Sequence, residues 1–225
     1  AREILAGAIQ RYGNSMDNDM VATYLTVDDE EKGKIIGKEG RNIKAFERES
    51  GVQLVIDDTP GQITISSFDP IRRVVAKTAL DELLADGRVQ PARIEEALER
   101  AQKAIEDTIL KEGKKAAREC DVPGLPKELL HILGRLYFRY SYGQNVLQHS
   151  KEMAHIANVI ANEIGADAYT ARAGALLHDI GKAVDHEVEG THVEIGRRIL
   201  DKYGVDENVI KAMQAHHEEY PYETV

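Results

Sequence analysis

Val122-Pro123-Gly124-Leu125-Pro126 is the strongest constraint on what this chain can fold into. Two prolines around a glycine cannot continue a helix, because proline lacks the N–H donor and its ring clashes with the preceding turn. The segment predicts a domain boundary near the middle of the 225 residues, a length that allows one large domain or two small ones. The two sides differ in kind: all eight histidines lie after residue 130, and strand patterns occur only before the break.

Upstream, residues 3–12 read as a short helix with Ile4, Leu5, Ala8 and Ile9 on one face, followed by a polar break at 14–19. Residues 21–27 alternate with period two and predict a strand. A short helix is expected over 33–36 and a second over 41–49, stopped by Gly51. Strands follow at 52–56 and 62–66, joined by the turn formers of 57–61. Asp69-Pro70 supplies an N-cap and a first-turn proline for a helix ending near Gly87. Pro91 opens a long helix whose Ile94, Leu98, Ala101, Ile105 and Thr108 form one stripe, which fits either a coiled-coil seam or an amphipathic connector. Beyond the break only helices are expected, at 127–138, 143–164, 167–181, 191–203 and 206–217.

Charge narrows the functional classes. The net charge of −10 argues against coating of nucleic acid by the whole surface, yet residues 32–44 carry Lys32, Lys34, Lys38, Arg41 and Lys44 against Glu39 alone. The single cysteine, Cys120, excludes an internal disulfide and suits a reducing compartment. No apolar run approaches membrane-spanning length.

Gly37-Lys38-Glu39-Gly40 sits between the two short helices. Two glycines allow a tight turn and close backbone approach to a ligand, and the helix after them offers free amides to phosphate. A turn between core helices with solvated lysines would look similar. With Ile35-Ile36 before the loop, basic residues through it and the order βααββα, residues 19–90 resemble a type I KH domain. The resemblance implies that Lys34, Gly37, Lys38, Glu39, Gly40, Arg41, Asn42 and Lys44 contact single-stranded RNA.

The second motif is Leu176-Leu177-His178-Asp179-Ile180-Gly181-Lys182. His149, predicted on a core-facing stripe with Met153, Ile156 and Ile160, falls on a helix before it; His192, His216 and His217 fall on helices after it. One histidine on an apolar face is ordinarily a satisfied core residue. Five with an aspartate are different, because burying them without a cation demands many separate partners. This half, 123–225, resembles the HD-domain phosphohydrolases. The resemblance implies that His149, His178 and Asp179 hold one divalent metal, and that Asp179, His192, His216 and His217 hold a second. His178, Asp179 and Lys182 would be catalytic, with Lys182 steadying a phosphate oxygen or the nucleophile. Mn, Mg, Zn, Fe, Co and Ni are not distinguished by such ligands. His131, His155 and His186 have no place in the pattern.

The expected fold class is α+β: a KH domain, a connecting amphipathic helix at 91–122, and an all-α HD domain. With the phrases at 61–73, 83–96, 140–147 and 178–190, the pairing resembles the ribonuclease Y family, bacterial endoribonucleases that begin mRNA decay; an HD phosphohydrolase acting on small or cyclic nucleotides and a non-catalytic RNA-binding or dimerising module are the alternatives. That resemblance implies a parent anchored at the cytoplasmic side of the bacterial membrane, residues 1–18 as the end of a coiled coil, a homodimer, RNA-decay assemblies as partners, and a soluble segment here. HD domains take a further aspartate from a later helix. None follows His217 in this sequence, so a C-terminally incomplete HD site with low or no activity is expected.

Overall fold

The computed structural model describes residues 21–57, 61–217 and 219–222. The helix expected at 3–12, the break at 14–19 and the middle of the 57–61 turn lie outside them. The described residues form two compact units that divide between Glu106 and Asp107, within a long helix.

The first unit runs β1 (Ala22–Thr26), α1 (Asp29–Ile36), α2 (Arg41–Ser50), β2 (Gln53–Val55), β3 (Gln62–Ser66) and α3 (Pro70–Asp86). The sheet is antiparallel in the order β1-β3-β2, with Leu25 opposite Ile63 and Leu54 opposite Ile65. Those four residues are buried and, with Ile35, Phe46, Ala79 and Leu80, form the core under the helices. Alternation along each strand places one face inward, which fixes the register. The start of α1 differs from the sequence expectation. Asp28 caps it five residues before Gly33, and Glu31 returns the bond to the Asp28 amide in a capping box. Gly33 is therefore a helix-interior residue and not a start signal.

α4 (Pro91–Glu119) follows. Its Ile94, Leu98, Ala101 and Ile105 are buried, so this stripe is a packing face within the chain and not a free seam.

The second unit continues with α5 (Lys127–Arg135), β4 (Tyr140–Ser141), β5 (Gln144–Asn145), α6 (Val146–Ile164), α7 (Ala168–Leu177), α8 (His192–Lys202) and α9 (Glu207–Gln214). It is not purely helical, because β4 and β5 form a small hairpin where a helix start was expected at 143. Tyr142 and Gly143 both have positive φ, 51° and 77°, in the two-residue turn, and this geometry bends the chain back on itself instead of into a helix. The core gathers Leu129, Leu133, Leu136, Leu147, Leu176, Leu177, Val193 and Met213.

Glycines set how closely these helices approach. A Cβ on Gly113 would lie 1.8 Å from the Leu130 carbonyl oxygen, and one on Gly134 would lie 1.8 Å from that of Ile109, so α4 and α5 cross backbone to backbone. A Cβ on Gly174 would lie 2.8 Å from Ala212 Cβ, drawing α7 against α9. Among the described residues, no helix is long and apolar enough to cross a membrane.

Candidate metal centre and nucleic-acid loop

Helix α7 ends at Leu177, earlier than the expected 181, and this early end builds the centre. Asp179 adopts φ −100° and ψ 12°, and Ile180–Ala183 tighten into a 3-10 turn. The irregular step turns Asp179 inward, where it is buried, and brings Lys182 Nζ to 2.9 Å from its Oδ2. His178 Nε2 lies 3.4 Å from the same oxygen. The other carboxylate oxygen, Oδ1, faces His192 Nε2 at 3.5 Å and His216 Nε2 at 4.0 Å.

Each histidine arrives from a different place. His149 is in the first turn of α6, His178 follows the end of α7, His192 opens α8, and His216 and His217 follow α9. Their rings form one continuous cluster. Centroids lie 5.2 Å apart for His149 and His178, 5.0 Å for His178 and His216, 4.9 Å for His192 and His217, and 4.3 Å for His216 and His217. Two groups have donor atoms within 4.8 Å of one another: His149 with His178 and Asp179, and His192 with His216 and His217. The structure thus brings together all six residues expected to hold metal.

Hydrogen bonds aim the rings. His178 Nδ1 donates to the Ala175 carbonyl at 2.7 Å, and His216 Nδ1 donates to the Met213 carbonyl at 2.7 Å. A carbonyl only accepts, so Nδ1 carries the proton in both, and a neutral ring then presents an Nε2 lone pair to the centre. Charge follows burial. Burial pushes His216 down to about 4 against the pull of the Met213 carbonyl, and burial likewise lowers His192 and His149, helped by Lys182 and His178 respectively. For Asp179, burial opposes ionisation. His178 and Lys182 outweigh it and hold the carboxyl well below the usual carboxylate range. Burial thus favours the neutral form of His149, His192 and His216 around an ionised Asp179.

This donor set fits a divalent cation. Asp179 Oδ1 is buried and accepts no hydrogen bond. A buried carboxylate oxygen without a hydrogen bond, facing the lone pair of His216 Nε2, is costly unless a cation sits among them. His186, by contrast, lies 3.2 Å from Glu187 and 3.7 Å from Asp185, and His155 is exposed on α6.

The stripe invoked for His149 is corrected by the structure. Met153, Ile156 and Ile160 are 38, 52 and 54 % exposed, and the buried side of α6 carries Val146, Leu147, Ser150, Ala154 and Ala161. His149 is half-buried through its neighbours in the cluster and not through that stripe.

In the first unit, Gly37 (φ 69°), Glu39 (φ 55°) and Gly40 (φ 72°) turn the chain between α1 and α2. Lys38, Glu39, Arg41 and Lys44 are exposed around this turn, and Gly37 and Gly40 are partly exposed. Three other residues of the basic stretch are already engaged within the fold. Lys34 pairs with Glu30 at 2.8 Å, which raises the lysine's pKa. Lys32 is buried, with Nζ 3.5 Å from the Asp57 carbonyl. Asn42 is buried beneath the loop, where its Nδ2 donates to Lys34 O at 2.9 Å and Val89 O at 2.7 Å. Asn42 therefore has no free amide N–H to offer a ligand, and its Oδ1 is buried. A period-based reading could not find this, since burial of the third residue after Glu39 depends on Val89, 47 positions away.

Family models match a KH domain over residues 22–82 and an HD domain over residues 146–224. Ribonuclease Y of Thermoanaerobacter pseudethanolicus is 53 % identical over 226 aligned positions, covering 100 % of this chain and 44 % of the relative. The chain is a ribonuclease Y homologue. Ribonuclease Y of Alkaliphilus metalliredigens is 51 % identical over 100 % of the chain and 48 % of its own length, and that of Thermus thermophilus is 50 % identical over 100 % and 39 %. The chain thus spans less than half the length of these curated ribonuclease Y relatives. No solved structure matches it significantly. The glycine turn lies in the KH domain and the histidine cluster in the HD domain, a metal-dependent phosphohydrolase fold.

Proposed function

We propose that this chain is the RNA-binding and hydrolytic portion of an endoribonuclease, in which the KH turn engages single-stranded RNA and the HD centre hydrolyses a phosphodiester bond. The observation that carries the reading is Asp179: a buried carboxylate with one oxygen lacking a hydrogen bond, surrounded by imidazoles from α6, α7, α8 and the end of α9.

His149, His178 and Asp179 would hold one divalent ion, and His192, His216 and His217 with Asp179 Oδ1 a second. An ion there supplies Lewis acidity to the phosphoryl group and eases deprotonation of water. The chain's own residues do the rest. Ala175 and Met213 carbonyls keep His178 and His216 in the ligating tautomer. Lys182, 2.9 Å from Asp179, places a positive charge where charge develops on phosphate oxygens. At the KH turn, Lys38, Arg41 and Lys44 supply phosphate contacts around the glycine backbone. The cellular setting in this reading is the onset of mRNA decay by a dimeric parent anchored at the cytoplasmic face of the membrane.

The test is incubation of the full-length parent with Mn²⁺ or Mg²⁺ and either labelled single-stranded RNA or a panel of nucleotides. RNA cleavage that disappears in His178→Ala and in Asp179→Ala is expected. Turnover of nucleotides without RNA cleavage, or RNA binding with no turnover of any substrate, would overturn it.

A further inference from the structure

The hairpin ahead of α6 carries two exposed tyrosines, and a third stands in the turn just before it. Tyr142 is 92 % exposed, Tyr140 60 % and Tyr137 43 %. Tyr142 also occupies a backbone position unsuited to it: φ is 51° at the first residue of a two-residue turn, where asparagine, aspartate or glycine is favoured. A bulky side chain in the left-handed region, packed on nearly nothing, adds nothing to stability.

The mount beneath the tyrosines is firm. Val146 N donates to Arg139 O at 2.9 Å, Asn145 Nδ2 donates to Tyr137 O at 2.7 Å, and Tyr137 stands edge-on to Phe138 at 5.1 Å. Arg139 pairs with Asp185 at 2.9 Å, which ties the hairpin to the segment just after Lys182. The hairpin also runs directly into α6, whose first turn carries His149. The tyrosines are therefore mounted on the segment that leads into the helix carrying His149.

We infer that this hairpin is a stacking platform for the bases of single-stranded RNA next to the scissile phosphate. The inference rests on the RNA reading proposed above and deepens it. The imidazoles pack on one another around Asp179 and address a phosphate, whereas exposed tyrosine faces stack on any base and so hold a flexible strand without demanding a sequence. The polar setting favours RNA over a protein partner. Ser141, Gly143, Gln144 and Asn145 surround Tyr142 in sequence, and no aliphatic side chain of the hairpin accompanies the rings as in the core of a protein interface.

The chain contains no tryptophan, so Tyr142→Trp introduces a single indole at the tip. Single-stranded RNA added to that variant should quench the indole emission over the same concentration range in which a labelled RNA gains anisotropy. Tyr142→Ala should weaken RNA binding about tenfold, the combination with Tyr140→Ala further, and Tyr142→Phe should keep near-normal affinity because the aromatic face remains. RNA binding by anisotropy with a silent indole and unchanged affinity in the alanine variants would overturn the platform and leave the KH-based reading standing. Loss of self-association on sedimentation of Tyr142→Ala, with RNA affinity unchanged, would assign the tyrosines to a second copy and overturn it equally. No RNA binding by any readout would overturn the platform and the RNA reading together.

Discussion

Gly181 and His192 touch backbone to backbone: a Cβ on Gly181 would lie 1.9 Å from the His192 carbonyl oxygen and 2.9 Å from Gly196 N. The 3-10 turn carrying Asp179 and Lys182 is thereby pressed against the first turn of α8. That contact sets the 3.5 Å approach of His192 Nε2 to Asp179 Oδ1. Gly181→Ala has no flexible side chain to displace, so the two segments must part. A loss of about 2 kcal/mol or more is expected by chemical denaturation, together with weaker Mn²⁺ binding as His192 leaves Asp179. Unchanged stability and metal affinity would show that the close approach is not needed.

Asn42 is expected to act through the loop. Asn42→Ala removes both amide donors and leaves the Lys34 and Val89 carbonyls without them, at a cost of about 1–3 kcal/mol in stability. RNA affinity should fall with it as the Gly37 turn loosens. Denaturation paired with RNA titration checks this, and a fall in affinity at unchanged stability would return Asn42 to direct contact with RNA.

Glu39 works against its surroundings. It holds a φ of 55° and puts a negative charge among Lys38, Arg41 and Lys44. Glu39→Gln and Glu39→Gly both remove the charge, and the second also relieves the backbone while adding unfolded-chain entropy, so its net stability change should stay within about 1 kcal/mol. Single-stranded RNA affinity at low salt should rise severalfold in both variants, with a smaller gain at high salt. Weaker binding would mean that the carboxylate itself contacts RNA.

The metal-free chain should lose stability as the pH falls from about 6.5 toward 4. Burial pushes His216 down to about 4 and lowers His192 and His149, whereas in the unfolded chain these imidazoles protonate near their ordinary value of 6.5. Within that window the unfolded state binds more protons, so acid favours unfolding. Melting curves at pH 7 and pH 5 should differ by several degrees, and His216→Gln should narrow the gap. A melting temperature independent of pH between 7 and 5 would contradict the burial of neutral imidazoles.

The α+β order was legible because its boundaries are chemical. Asp69-Pro70 opens α3, Gly51 and Gly87 end helices in left-handed conformation, and alternation marks β1 and β3. The six-residue cluster was legible as chemistry, since histidines and one aspartate recurred on helices, although the stripe assigned to His149 is solvent-exposed. What stayed hidden depends on distant partners or on single backbone angles. Asp28 as the cap of α1, the Tyr142-Gly143 turn, the end of α7 before His178 and the burial of Asn42 under Val89 all belong to this class. Glycine contacts such as Gly113 with Gly134 are also invisible to periodicity, because a glycine in a helix reads as a weakness until its neighbour is known.

Titration of the metal-free chain with Mn²⁺ in a calorimeter, repeated on Asp179→Asn, tests the central claim most directly. The variant keeps the shape of the side chain and removes its charge. One or two ions bound per chain, with binding lost in Asp179→Asn, is the predicted result. No bound metal in the purified chain and no heat on adding Mn²⁺ would contradict it.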